Sequence, residues 1–128
     1  MPSTTPRRFP CIPQHEPLAL LLDAQVQIDD LLSKTATIDL DRLMSSTDLQ
    51  AIFERRFEIL GESLRRLQRV HPAVFVQIEG ADEAIAMRNF IAHGYDSVDH
   101  RVLWDTAVED LPRMGRSIAV VIEALRTQ

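Results

Sequence analysis

Apolar residues recur every three or four positions along most of the chain, which is the spacing of helices rather than of strands. The first such pattern begins at Leu18 and predicts an amphipathic helix of about four turns, ending near residues 33–34. Its apolar positions are Leu18, Leu21, Leu22, Ile28, Leu31 and Leu32. Residues 34–47 are rich in Thr, Ser and Asp, so we predict a linker there, with a short helical turn at residues 40–44.

The second pattern predicts the clearest helix of the chain. Its apolar positions are Leu49, Ile52, Phe53, Phe57, Leu60, Leu64 and Leu67. Thr47 or Asp48 can cap its N-terminus, and Pro72 ends it because the residue before a proline disfavours helical geometry. Gly61 lies in the middle, where glycine costs about 1 kcal/mol relative to alanine. A glycine at such a position often marks the close approach of another helix.

Two further helical patterns complete the chain. One covers residues 81–93, with Gly94 placed to form a left-handed C-terminal cap. The other covers residues 101–126, where Asp99 can cap the start and Pro112 predicts a kink or a restart. No segment shows the strict alternation of a strand. The sequence therefore predicts an all-α, up-and-down bundle of four main helices.

The N-terminus differs from this helical body. Five prolines interrupt residues 1–17 and predict a disordered or extended leader, after which residues 18–128 form a single helical domain. No apolar run approaches the ~18 residues of a membrane span, and no apolar segment of a secretory signal follows Arg7 and Arg8. The single Cys11 cannot form an internal disulfide. These features together predict a cytoplasmic protein.

Charge narrows the choice of partners only slightly. The net charge of −5 at pH 7 is not that of a general nucleic-acid binder. However, 13 of the 14 basic residues are arginines, the side chain suited to bidentate phosphate contacts. Five of them precede Arg88 in one segment, namely Arg55, Arg56, Arg65, Arg66 and Arg69. They either pair with Glu54, Glu58 and Glu62 on a solvated helix face or supply local phosphate contacts.

The strongest candidate for chemistry is an eight-residue segment at the predicted end of the third helix. It reads Arg88-Asn89-Phe90-Ile91-Ala92-His93-Gly94-Tyr95. Its polar groups suit work on a phosphodiester, because a guanidinium can hold the charge and an imidazole can move a proton near neutral pH. Arg88 and His93 diverge by ~140° around a regular helix, whereas Asn89 and His93 share a face. The length of the arginine and the end of the helix at Gly94 can reunite the groups.

Several other residues receive structural interpretations. The histidines match no compact spacing of metal ligands, so neither a metal nor a cofactor is expected. His71 is predicted to end the second helix and His100 to lie on the surface, while Trp104 is predicted to be a core or dimer contact. Glu58 and Glu62 share one helical face and either reach the candidate site or only balance the arginines.

The eight-residue segment resembles the signature of the HEPN superfamily, and within it the HepT-like ribonuclease toxins. Those proteins carry an Arg, four to six residues, a His, one residue and a Tyr, commonly with a polar residue after the Arg. These positions are met by Arg88, Asn89, His93 and Tyr95. Other blocks are similar to family positions in the same order, namely Glu58-Ile59-Leu60-Gly61-Glu62-Ser63, His71-Pro72, Val98-Asp99 and Val102-Leu103-Trp104-Asp105. The resemblance covers about residues 18–126.

The resemblance implies a metal-independent endoribonuclease that acts as a homodimer, with the two motifs facing a shared cleft. RNA is then the substrate, and its own 2′-hydroxyl is the nucleophile. In this scheme His93 moves the proton and Arg88 stabilises the anionic phosphorane. Asn89 would orient His93 or donate a hydrogen bond to a phosphate oxygen.

A second implication concerns Tyr95. In HepT-like toxin–antitoxin systems, a minimal nucleotidyltransferase antitoxin (MntA-like) adenylylates the motif tyrosine and silences the ribonuclease. The resemblance therefore implies that Tyr95 is a regulatory site and that this chain is the toxin. Three alternatives stay open: a non-catalytic HEPN subunit that binds such a transferase, a helical dimer with an interaction role only, and a Tyr95 that merely packs the helix end.

Overall fold

The computed structural model describes residues 17–94 and 98–127. In this part of the chain the fold is all-α, as predicted, and contains no strand. Its helices are α1 (Pro17–Thr37), α2 (Leu40–Ser45), α3 (Thr47–Val70), α4 (Pro72–Phe75), α5 (Ala81–Ala92), α6 (His100–Glu109) and α7 (Leu111–Arg126). The four predicted main helices correspond to α1, α3, α5 and the α6–α7 pair. None of the described helices is long and apolar enough to cross a membrane.

Helix α3 is the centre of the bundle. Helix α1 packs along one side of it and α5 along another, while α7 and α6 pack mainly against α1 and against each other. Helix α3 is central because its predicted apolar stripe is buried against these neighbours. The stripe supplies the fully buried Phe53, Phe57, Leu60, Leu64 and Leu67. Helix α5 has α3 as its principal neighbour among the described elements. The candidate motif is thus carried by a helix at the edge of the bundle.

Helix α1 is longer than predicted at both ends. Pro17, assigned to the leader from sequence, is the first residue of the helix, a position where a missing backbone N–H costs nothing. At the other end the helix continues to Thr37 instead of residues 33–34. The hydroxyls of Thr35 and Thr37 donate to carbonyls of the preceding turn, at 3.1 and 3.3 Å. The polar composition that suggested a linker therefore belongs to a last helical turn.

The short helical turn predicted inside the linker is confirmed as α2. The side chain of Asp39 caps it by accepting a hydrogen bond from the Arg42 amide at 2.9 Å. The cap of α3 lies one residue earlier than predicted, because Ser46 accepts from the Leu49 amide at 3.2 Å. Both caps satisfy N–H groups that the first helical turn leaves unpaired.

The long C-terminal pattern restarts at the predicted proline. Helix α6 ends at Glu109 and α7 begins at Leu111, so that Pro112 lies in the first turn of α7, where proline is tolerated. The predicted cap of α6 is confirmed, since the Asp99 side chain accepts from the Arg101 amide at 3.0 Å. The apolar residues that recur at helical spacing in this region, Ala107, Leu111, Met114, Ile118, Val121 and Ile122, are buried, and Leu125 is half-buried.

Candidate active site at the end of α5

Gly61 lets α5 approach α3 closely, as its place in mid-helix predicted. A Cβ atom at this position would lie 2.4 Å from the Cβ of Arg88 and 2.8 Å from the carbonyl oxygen of Ala84. Real side chains do not tolerate such distances, so only glycine fits at this contact. The result is that the backbone carrying Arg88 lies directly on α3.

The guanidinium of Arg88 faces an acidic residue of α3. Its Nε lies 3.1 Å from Oε1 of Glu62, and the other carboxylate oxygen, Oε2, accepts from Nε of Arg66 at 3.2 Å. The Oε1 atom is shielded from solvent, and the Arg88 contact is an ion pair whose N–H is not aligned for a hydrogen bond. One carboxylate is therefore shared between two arginines, which leaves the three groups with a net charge of about +1.

Asn89 contacts both other members of the motif with different groups. Its side-chain Oδ1 accepts a hydrogen bond from Nη1 of Arg88 at 3.1 Å. Its backbone carbonyl lies 2.8 Å from Nδ1 of His93, one helical turn later. The resemblance gave Asn89 two possible roles, to orient His93 or to donate to a phosphate oxygen. The contact to His93 comes from the Asn89 backbone, whereas the Asn89 side chain engages Arg88.

The contact to the carbonyl determines the tautomer of His93. A carbonyl oxygen can only accept, so Nδ1 must carry the hydrogen in this contact. In the neutral imidazole the lone pair then lies on Nε2, which is the nitrogen able to take up a proton. Helix α5 ends at Ala92, one residue before the predicted end, and His93 is its C-terminal cap. The His93 side chain is exposed.

Tyr95 lies outside the described residues, together with Asp96 and Ser97. The amide of Gly94 donates to the Ile91 carbonyl at 3.2 Å, and the left-handed conformation proposed for this glycine stays a prediction. The next helix is tied back to α3, because Nε2 of His100 lies 2.5 Å from Oε2 of Glu54. The His100 side chain is 13% exposed, so this residue is more buried than the predicted surface position.

The arginines of α3 do not all behave alike. Arg66 pairs with Glu62, as a solvated helix face predicts, but Arg56 donates to Asp30 and Gln27 of α1. A cavity of about 300 Å³ lies between α1 and α3. Its polar lining consists of Asp23, Arg55, Glu58, Glu62, Ser63 and Arg66. Glu62 therefore both reaches the candidate site and balances arginines, the two interpretations that its sequence position left open.

The structure also shows where His71 and Trp104 lie and whether side chains converge as metal ligands. His71 is the C-terminal cap of α3, as predicted. Trp104 is half-buried and stacks on Phe53, with ring centroids 6.4 Å apart, which fits its assignment to the core. In the described ranges, no three His, Cys, Asp or Glu side chains converge in a way that would hold a metal ion.

Comparison with known proteins extends this picture. The chain matches the HepT-like family, described as ribonuclease HepT-like, over residues 24–121. The Methanocaldococcus jannaschii protein named "Putative RNase MJ1380" is 25% identical over 103 residues, which cover 80% of this chain and 94% of that protein. A second protein of the same organism, "Putative RNase MJ0125", is 23% identical over 114 residues, covering 89% of this chain and 97% of that protein.

A more similar but shorter match is "Probable ribonuclease HepT" of Thermococcus cleftensis. It is 36% identical over 64 residues, which cover 47% of this chain and 54% of that protein. No solved structure matches. Because the family match spans most of the bundle, including α3 and the motif of α5, the chain belongs to the HepT-like ribonuclease family.

Proposed function

We propose that this protein is the toxin of a toxin–antitoxin system and that it cleaves RNA internally without a metal ion. Family membership and the relatives named RNase support a ribonuclease. The observation that carries the mechanism is the arrangement around Asn89. It engages Arg88 through its side chain and His93 through its backbone, so that a cation and a proton carrier share one helix end.

The residues suggest a cleavage in which RNA supplies its own nucleophile. The 2′-oxygen attacks the adjacent phosphorus as its proton leaves, the bond from phosphorus to the 5′-oxygen breaks, and that oxygen gains a proton. His93 serves one of these two proton transfers through Nε2. Arg88 donates to the phosphate oxygens while negative charge builds up on them. The products are a 2′,3′-cyclic phosphate and a 5′-hydroxyl.

A homodimer would complete the site, because each chain offers one motif histidine and the reaction has two proton transfers. With two motifs at a shared cleft, one His93 would act as base and the other as acid. Family resemblance supplies the remainder of this proposal.

Tyr95 is the proposed target of regulation, two residues after His93. A minimal nucleotidyltransferase antitoxin would transfer adenylate to its hydroxyl, with pyrophosphate leaving from ATP. The added phosphate and base would oppose RNA binding by charge and volume. Mass spectrometry of protein treated with this enzyme and ATP should find adenylate on the Tyr95 peptide, and the Tyr95→Phe variant should remain unmodified.

Growth of cells that express the protein tests the proposed function. Wild-type protein should arrest growth, and His93→Ala should abolish the arrest at equal protein levels. The matched control is His71→Ala, which changes a histidine that caps a different helix. If purified protein leaves RNA intact and Arg88→Ala changes nothing, the ribonuclease proposal is wrong, and a non-catalytic subunit that binds the transferase becomes the better interpretation.

A further inference from the structure

Glu62 is an acidic residue of another helix that contacts the motif directly. It belongs to α3, 26 positions before Arg88, and meets the guanidinium at Nε. Its side chain is one-third exposed, so it is neither a buried core charge nor a freely solvated one. We propose that Glu62 is a positioning residue for RNA cleavage, which fixes the guanidinium of Arg88 for the transition state. This inference rests on the proposed function.

The geometry of the contact explains how positioning would work. A guanidinium has five N–H groups, one on Nε and two on each terminal nitrogen. Nε faces Glu62 in an ion pair and Nη1 donates one hydrogen to Asn89, which leaves three N–H groups by count to donate to phosphate oxygens. The ion pair at Nε and the hydrogen bond at Nη1 together restrict the rotation of the guanidinium. Arg88 is therefore held in one orientation before substrate binds.

The neighbours of Glu62 keep this arrangement compatible with an anionic substrate. A carboxylate beside a catalytic arginine would by itself cancel the charge that RNA needs. Arg66 contacts the second oxygen of the same carboxylate at 3.2 Å, so the trio retains a positive charge. Gly61, the preceding residue, brings the Cα of Arg88 close enough for the contact. Glu62 thus lies where backbone packing and charge balance both favour a fixed Arg88.

Positioning and simple charge effects predict different kinetics. If Glu62 only neutralised Arg88, its removal would tighten RNA binding or raise the rate, and Glu62→Gln and Glu62→Ala would behave alike. If it positions Arg88, Glu62→Ala should lower kcat on the order of 10²-fold, the loss typical of a misplaced group. KM should stay within about threefold, because loss of one negative charge near the phosphate does not weaken ground-state binding. Glu62→Gln keeps the length and one acceptor oxygen, so it should retain most of the lost activity.

Steady-state cleavage of a defined RNA by wild-type, Glu62→Ala and Glu62→Gln protein tests the inference. The matched control is Glu58→Ala, which removes a carboxylate one turn earlier on the same cavity and should leave kcat within about twofold. Rotation of the Arg88 guanidinium, followed by NMR, should be faster in Glu62→Ala and nearly unchanged in Glu58→Ala. This readout requires no RNA.

The outcomes separate the two proposals. If wild-type protein does not cleave RNA, the proposed function fails and the inference falls with it. If wild-type protein cleaves RNA but Glu62→Ala keeps its kcat, or equals Glu62→Gln, positioning by Glu62 is wrong although the ribonuclease stands. If Glu62→Ala lowers kcat and the melting temperature together while Arg88 rotation is unchanged, the role is structural only, and the inference is again overturned.

Discussion

At the scale of single residues, Asn89 links the two members of the motif that a regular helix keeps apart. The side chain accepts from Arg88 and the backbone carbonyl accepts from His93. Sequence spacing correctly placed Asn89 and His93 on one face, because that relation depends only on helical geometry. It could not show which group of Asn89 contacts which neighbour. The side-chain contact depends on where the Arg88 guanidinium lies, and this guanidinium faces Glu62 of another helix.

Replacing Asn89 distinguishes its side chain from its backbone. Asn89→Ala removes the contact to Arg88 but keeps the carbonyl that binds His93. We therefore expect kcat to fall about tenfold, equal to ~1.4 kcal/mol, the order of one hydrogen bond to a charged group. Asn89→Asp, which keeps an acceptor oxygen, should lose less. A loss in Asn89→Ala as large as that in His93→Ala would mean that the side chain orients the imidazole.

At the scale of helices, the apolar spacing predicted each main element because burial of one helical face is encoded locally. Contacts between elements were not predictable in this way. His100 and Glu54 are 46 residues apart, and Arg56 and Asp30 are 26 apart, so their pairing follows from how the helices pack. The contact at Gly61 is an exception, because it could be predicted from the sequence. A glycine in mid-helix has few explanations other than a close neighbour, and α5 is that neighbour.

Substitution of Gly61 tests the contact between α3 and α5. Gly61→Ala improves helix propensity by about 1 kcal/mol, but the new methyl group meets the Cβ of Arg88 and a backbone oxygen. Neither atom can move without shifting α5, so we expect a net destabilisation of about 1–2 kcal/mol in urea unfolding. Gly115→Ala is the control, because its methyl group would lie 3.2 Å from a side-chain methyl of Ile28. Equal effects of both variants would contradict the close contact.

The ion pairs of Asp30, with Lys34 in α1 and with Arg56 in α3, predict a pH dependence of stability. Burial raises the pKa of Asp30, but hydrogen bonds from Lys34 and Arg56 and their charges outweigh it, so this pKa lies below its usual value of 3.8. A lowered pKa in the folded state stabilises the protein above pH 3.8 and ceases to do so as the pH falls through the folded value. The stability difference between wild type and Asp30→Asn should therefore be large at pH 7 and shrink below pH 4.

Unfolding by urea at several pH values measures this difference. Asp29→Asn is the matched control, since Asp29 is exposed and accepts from Gln25 within α1. Its substitution removes no contact to α3 and should change stability less than Asp30→Asn does. A gap between wild type and Asp30→Asn that stays constant from pH 7 to pH 3 would be inconsistent with the proposed ion pairs.

At the scale of the whole molecule, the motif lies on a helix whose principal neighbour among the described elements is α3. The family and the all-α bundle were predictable from the sequence, because several blocks match in one order along most of the chain. The homodimer, the antitoxin and the role of Tyr95 were inferred from resemblance and stay predictions. They depend on a second chain and on residues 95–97, outside the described ranges.

Mixed dimers test whether the two motifs form one cleft. We expect a dimer with one wild-type and one His93→Ala protomer, purified through two different tags, to lose nearly all cleavage, because one imidazole would have to serve both proton transfers. Wild-type dimers that carry the same two tags are the control. Activity near half that of the control would show that each protomer cleaves RNA independently.

The chemistry of the RNA ends tests the central claim most directly. Purified wild-type protein is incubated with a defined RNA in excess chelator, and the new ends are identified by mass spectrometry. Attack by the 2′-hydroxyl with proton transfer by His93 should yield 2′,3′-cyclic phosphates and 5′-hydroxyls. Arg88→Ala and His93→Ala should yield no product, whereas Arg69→Ala should cleave as wild type does. Cleavage that requires an added divalent metal, or that leaves 3′-hydroxyl ends, would contradict this mechanism.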